Sequence, residues 1–414
     1  MMKLVASYGA AETIAKGLNI ALMLGLAAVM EIKEYGVIAI LVAIELVLAE
    51  VIVLGQHTAI LRFYESYRDA FCRLYSASLL IILSAFGLVF LLYVMLPLHQ
   101  WNIISDNIKD QDVMLLIIGS VLQCQFVLYL AYLRSVGRVW EYGSLRVGYQ
   151  LIKLISVGAF VLLLQSASAY PIGISVASAI SFLLLAPRIN RHTQGYRELG
   201  RLSMGMFELL KQNALIGLPL TANAVIGVLY SVTDKFFLER LLDHNYVAIY
   251  NFAFIQGSSI FFIINVFSLA YVPKIYHGQV YNRRAAAVLL EFLRYSVLGA
   301  LGLAFIVYFI VFPVSLAFVP TEYREGKQVL IFALLSVIVQ PLNAYALYKL
   351  TLLRSVMGVP IITAFVLLFN IFLNGVLIPH HGMVGAAVAV SISQAVYGLL
   401  LVSAAQLVAR RSVQ

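Results

Sequence analysis

Charge is scarce in this sequence of 414 residues: Asp, Glu, Lys and Arg make up 11% of it, against about 25% in an ordinary soluble domain. With 62% hydrophobic residues, too little polar surface is left to cover a water-soluble body, and a soluble globular fold is excluded. Cysteine is nearly missing too. Cys72 falls in a loop and Cys124 inside an apolar run, so neither a disulfide framework nor a thiolate metal site is expected. The seven histidines offer no ligand spacing, since His380 and His381 are neighbours whose side chains point apart and His57 stands alone. No Gly-rich loop ending in Lys-Ser or Lys-Thr is found, which argues against nucleotide hydrolysis. No cofactor, metal or catalytic constellation is therefore expected, and the chain is not read as an enzyme.

What the sequence does contain is long apolar stretches. A helix rises 1.5 Å per residue, so roughly 20 apolar residues cross the hydrocarbon core of a bilayer. Stretches of that kind span 9–30, 35–60, 74–97, 113–133, 147–166, 170–187, 213–232, 246–272, 295–319, 328–348, 358–378 and 383–407. The pattern predicts an all-α polytopic membrane protein of about twelve transmembrane helices. The connecting loops alternate in charge. Of the 28 Lys and Arg, 21 fall on one side, six on the other, and Lys153 lies within the fifth span. The basic side is cytoplasmic by the positive-inside rule, which places both termini in the cytoplasm. The same rule accounts for the net charge of +9 without a nucleic-acid partner. Glu12 and Lys16 interrupt the first apolar run, which is read as a retained span rather than a cleaved leader.

The longest basic loop, residues 188–212, divides the spans into two sets of six. A shift of 212 positions lays Gly173, Val176, Ala177, Ile180 and Ser181 on Gly385, Val388, Ala389, Ile392 and Ser393, and a shift of 211 lays Tyr35 and Ile38 on Tyr246 and Ile249. Two matches near half the chain length point to an internal repeat. The predicted organisation is an N-terminal six-helix lobe over 1–190, a basic cytoplasmic linker over 191–212 and a C-terminal six-helix lobe over 213–414. An even number of spans per half implies parallel repeats around a central cleft.

Several stretches resemble a known family. Asn370-Ile-Phe-Leu-Asn-Gly-Val-Leu-Ile-Pro-His-His-Gly, followed by Gly385-Ala-Ala and a small-residue helix, is similar to the eleventh and twelfth spans of polysaccharide flippases. Thr233-Asp-Lys-Phe-Phe-Leu-Glu239 with Val247-Ala-Ile-Tyr250, Phe267 through Pro273, and Leu54-Gly55 leading to Ile60-Leu-Arg-Phe-Tyr64 extend the likeness to both halves. They resemble the oligosaccharide-flippase branch of the multidrug, oligosaccharidyl-lipid and polysaccharide exporter superfamily, whose fold places two lobes around a cleft. That resemblance implies moving an undecaprenyl-pyrophosphate-linked oligosaccharide from the cytoplasmic to the periplasmic leaflet of the bacterial inner membrane. The product would feed O-antigen, capsule or exopolysaccharide synthesis, with the polymerase and chain-length regulator as partners.

Such a task needs cations for the pyrophosphate. Lys153 lies about two turns beyond Arg146, deep enough that its ammonium must snorkel, pair with a carboxylate or line a wet cavity. Lys16 follows Glu12 by four residues, so the two either neutralise each other or leave Lys16 to join Lys153 on the diphosphate. Arg62 and Arg134, on the cytoplasmic side, are placed to attract the pyrophosphate, although topology alone explains them. Glu45 and Glu50 are the acidic residues well inside a span and sit roughly 140° apart around the helix. One is expected to hold a cation structurally, and the other to couple transport to protons or sodium. Asp234 and Lys235 are expected in a charge network at the periplasmic mouth. Gln340, Asn343, Asn370, Asn374 and Gln394 are expected to bond one another across helices before they bond sugars.

Three alternatives stay open. A multidrug exporter of the same superfamily would share the topology. A peptidoglycan-precursor flippase is close in chemistry, but that family has fourteen spans and a more cationic cleft. An oligosaccharide polymerase would carry a long external loop rich in arginine, whereas the longest external loop here runs from Leu98 to Asp112.

Overall fold

The computed structural model describes residues 2–96, 108–193, 204–261, 283–353 and 357–411, with positions 264, 267, 268, 271, 275 and 355. Residues 269, 270, 272 and 273 of the Phe267–Pro273 motif lie outside the described residues, as do loop residues 98–107 and linker residues 194–203. Helices α1 (Met2–Val29), α2 (Ile32–Val53), α3 (Gln56–Phe63), α4 (Phe71–Met95), α5 (Asp110–Val136), α6 (Val139–Leu164) and α7 (Ala169–Thr193) come first. Then follow α8 (Met204–Leu241), α9 (His244–Ser258), α10 (Arg283–Ile306), α11 (Phe312–Ser315), α12 (Lys327–Ile338), α13 (Gln340–Leu352) and α14 (Val359–Arg411). No strand occurs among the described residues.

Among the described residues, nine helical runs are long and apolar enough to cross a membrane. The last, Val359–Arg410, has 52 residues, more than twice the length that one crossing needs. It is broken at Gly382, whose φ of 56° and ψ of −139° are non-helical. The break falls in the gap between the predicted spans 358–378 and 383–407 and is made by the glycine, while Pro379 stays inside the helical run.

Two compact units form: residues 37–229 make a continuous unit, and residues 1–36 with 230–414 a discontinuous one. In the continuous unit, α7 packs along both α5 and α6. Small residues bring the backbones close, as expected where lipid supplies no hydrophobic drive for helix association. A methyl group on Gly173 would lie 2.6 Å from the Cα of Val157, and one on Gly119 would lie 3.1 Å from the hydroxyl of Ser175. Outward leucines on the same helices stay bare, Leu163 at 77% and Leu183 at 69% exposure, which suits a face turned to lipid rather than water.

The span predicted over 35–60 is not one helix. It breaks between α2 and α3 at Leu54 and Gly55, with φ of 43° and 63°. Gly55 is required twice over there: its φ is left-handed, and an added methyl would sit 2.9 Å from the carbonyl oxygen of Gly217 on α8. The Gln56 amide donates back to the Leu54 carbonyl at 3.0 Å, satisfying an acceptor that the break would leave bare.

In the discontinuous unit, Tyr35 is fully buried, accepts a hydrogen bond from the Asn251 amide at 3.1 Å and meets Tyr323 edge-on at 6.2 Å. Gln340 and Asn343 on α13 donate to Gln394 on α14 at 2.7 and 3.2 Å. Asn370 donates to Ser393 across the Gly382 break at 3.3 Å. Gln340, Asn343 and Gln394 thus bond one another between helices, while Asn370 bonds a serine.

Candidate functional site

Helices α2, α6 and α7 bring three polar side chains together inside the continuous unit. The Lys153 ammonium of α6 lies 3.4 and 3.5 Å from the two carboxylate oxygens of Glu45 on α2. Tyr170, at the start of α7, donates its hydroxyl to Glu45 Oε2 at 2.6 Å, and its ring sits 5.6 Å from the ammonium. The packing that makes this possible is adjacent. Val157 stands one turn after Lys153 and Gly173 nearly one turn after Tyr170, so the Gly173–Val157 approach fixes the gap between the helices where the pair sits.

Burial gives this pair its meaning. The Lys153 and Glu45 side chains are 10% and 6% exposed. A single charge so placed is costly, and each group is tolerable because the other is present. The carboxylate is held firmly from one side and loosely from the other. The phenol contact is short, whereas a tight ammonium–carboxylate bond would measure about 2.7–2.9 Å. Lys153 lies astride both oxygens instead. Beside them, Tyr149 shares a hydrogen bond with Ser178 at 3.3 Å and stacks on Phe126 at 4.7 Å.

A second buried acid lies in the discontinuous unit. Asp234 on α8 is 1% and Lys235 7% exposed. The hydroxyl of Tyr250 on α9 donates to Asp234 Oδ2, and the backbone N–H of Lys235 donates to Oδ1 at 2.9 Å. The helix runs on to Leu241 beyond them, so both residues sit within a helix and inside the unit. Among the described residues no ion pair joins the Lys235 ammonium to Asp234.

The other predicted residues are placed more simply. Glu50 is half-buried on α2, with no hydrogen-bond or ion-pair partner among the described residues. Arg62 and Arg134 are exposed at the ends of α3 and α5, helices that pack on each other. Lys16 is exposed on α1, with Glu12 half-buried one turn before it. Among the described residues no group of three or more His, Cys, Asp or Glu is gathered for a metal ion.

Sequence reasoning missed Tyr170 and Tyr250. The signal that would have found them is a tyrosine within or beside an apolar run, whose hydroxyl must find an acceptor.

Outside the membrane segments, His244 begins α9. Burial first, and then the positive charge of Lys33, hold its pKa below the ordinary histidine value, against the pull of Asp243 and Glu34. Glu239 is 3.9 Å away, too far for a firm hydrogen bond to the imidazolium.

No protein-family model and no curated protein sequence matches the chain. Solved structures do. The chain is similar to the inward-facing conformation of a multidrug resistance MATE family transporter of the MOP superfamily, with a TM-score of 0.71 at 15% identity over 98% of this chain and 94% of that one. It is similar to the lipid II flippase MurJ in an inward closed conformation, with a TM-score of 0.71 at 16% identity over 96% and 87%. A MOP superfamily transporter from Pyrococcus furiosus matches with a TM-score of 0.65 at 14% identity over 98% and 95%. At such identities the likeness is one of fold, and it covers nearly the whole chain: the architecture is that of the MATE-like membrane transporters.

Proposed function

We propose that this protein is a flippase that carries an undecaprenyl-pyrophosphate-linked oligosaccharide repeat unit from the cytoplasmic to the periplasmic leaflet by alternating access. The observation that carries this reading is the buried, loosely held Lys153 in a fold shared with a lipid flippase. An ammonium with donors to spare is suited to a diphosphate, which accepts charge-assisted hydrogen bonds from several directions. Arg62 and Arg134, exposed on α3 and α5, are the residues assigned to first capture of the head group; Lys16, exposed on α1, is separately assigned as a pyrophosphate cation. Of the acids assigned to proton or sodium coupling, Glu50 is the one without a counter-ion among the described residues. Asp234 is assigned a structural role with Tyr250.

The test is deletion of the gene in a polymer-producing bacterium, with lipid-linked repeat units quantified in each leaflet. Accumulation in the inner leaflet, reversed by the gene, is the expected result. The equal TM-score to a multidrug transporter favours one competing reading, export of small amphipaths. No accumulation together with altered drug resistance would establish that reading instead, and outer-leaflet accumulation of single units would point to a polymerase.

A further inference from the structure

We propose that Lys153 is a tethered counter-cation for Glu45, holding inside the protein the place that a sodium ion or proton from solution would otherwise take. The assignment does not depend on the identity of the transported substrate.

Three observations support it. First, each charge finds its partner within the chain. Among the described residues, the hydrogen-bond partners of Glu45 are Lys153 and Tyr170, and Lys153 has Glu45 alone as acceptor. A buried carboxylate needs a cation or a proton, and here the chain supplies the cation. Second, the geometry is that of a point charge. The ammonium sits nearly equidistant from both oxygens at 3.4 and 3.5 Å, while the directional hydrogen bond comes from Tyr170 at 2.6 Å.

Third, the internal repeat offers a control. The shift of 211 that superposes Tyr35 and Ile38 on Tyr246 and Ile249 lays Glu45 on Gln256, and shifts of 211 and 212 lay Lys153 on Ala364 and Phe365. Where the lysine is missing, the acid is missing too. Gln256 is 1% exposed, accepts from Ser315 at 3.1 Å and donates to the Phe252 carbonyl at 3.3 Å. A neutral amide there needs no counter-ion.

The groups that act on Glu45 from its neighbours are few. Among the described residues these are Lys153 and Tyr149 from α6 and Tyr170 from α7, while Arg146 and Cys124 act on Tyr149. Glu50 lies further along α2 itself. Within this set Lys153 is the cation in contact with the carboxylate.

The experiment is thermal unfolding of the full chain in detergent, with sodium chloride exchanged for choline chloride at constant ionic strength, and separately with pH lowered. Variants are K153M, E45Q and K153M/E45Q. A ligand that binds only the folded state raises the unfolding temperature in a saturable way. K153M is expected to gain such a rise with sodium or with acid, measured against K153M/E45Q, while wild type and the double variant respond alike. E45Q, left with an unpaired ammonium, is expected to gain stability with chloride over gluconate. K153M tracking the double variant in both series, a wild type more sodium-dependent than the double variant, or E45Q indifferent to the anion would each overturn the proposal. If neither single variant folds, recovery of folding in K153M/E45Q supports the mutual dependence of the two charges, and failure of all three overturns it. A leaflet assay that shows no flipping leaves this result untouched, so the two proposals fail separately.

Discussion

Each compact unit holds a buried carboxylate bonded by a tyrosine and beside a lysine, Glu45 in one and Asp234 in the other, yet the two arrangements differ in where the lysine comes from. In the continuous unit Lys153 reaches Glu45 from another helix, 108 residues further along the chain, and contributes its charge. In the discontinuous unit Lys235 is the next residue after Asp234 and contributes its backbone N–H. Charge held across helices can be exchanged by moving a helix, whereas a backbone hydrogen bond within one helix moves with it. The Lys153–Glu45 contact can be broken by moving one helix against another, and the Lys235 N–H bond to Asp234 cannot.

The largest effect that sharpens this contrast is removal of one member of the ion pair. E45Q or K153M should each cost about 3–5 kcal/mol, because an uncompensated charge remains buried. K153M/E45Q should cost less than either single change, and a double-mutant cycle from unfolding in detergent measures the coupling. Next come the phenols. Tyr250→Phe removes the hydrogen bond that reaches Asp234 from another helix and should cost about 2 kcal/mol. Tyr170→Phe leaves Glu45 with Lys153 and should cost about 1 kcal/mol. The reverse order would break the comparison.

Lys235→Met should cost less than K153M does, since the Lys235 ammonium makes no ion pair among the described residues and the backbone N–H that holds Asp234 is kept. A loss as large as that of K153M would show that the two lysines do the same work. The smallest effect is one of pH. Since the pKa of His244 is lower in the folded protein than the unfolded value of about 6.5, its contribution is complete above that value. Stability should fall as pH drops from there toward the folded pKa and stop falling below it. His244→Asn should flatten that part of a stability-against-pH curve.

Much of the fold was legible because a membrane demands long apolar helices. The predicted spans 74–97, 113–133 and 170–187 correspond to Phe71–Met95, Asp110–Val136 and Ala169–Thr193. Apolar length carries no information about backbone direction within a run, which is why the break at Leu54 and Gly55 was invisible inside the stretch 35–60, although the glycine itself was a hint. The site was half legible. Lys153 and Glu45 stood out separately as charges too deep to be idle, and carboxylate pairing was one of the fates expected for Lys153. Which carboxylate would meet it could not be read, because helical periodicity orders residues within a helix and not between α2 and α6. Tyr170 was hidden for another reason, since a tyrosine near a span end is also what an interfacial belt requires.

The most direct test of flipping through Lys153 is the inner-leaflet level of lipid-linked repeat units in cells whose only copy carries Lys153→Ala, with its membrane abundance matched to wild type. Accumulation approaching that of the deletion strain is expected. Clearance at the wild-type rate would contradict the assignment of Lys153 to the transported pyrophosphate.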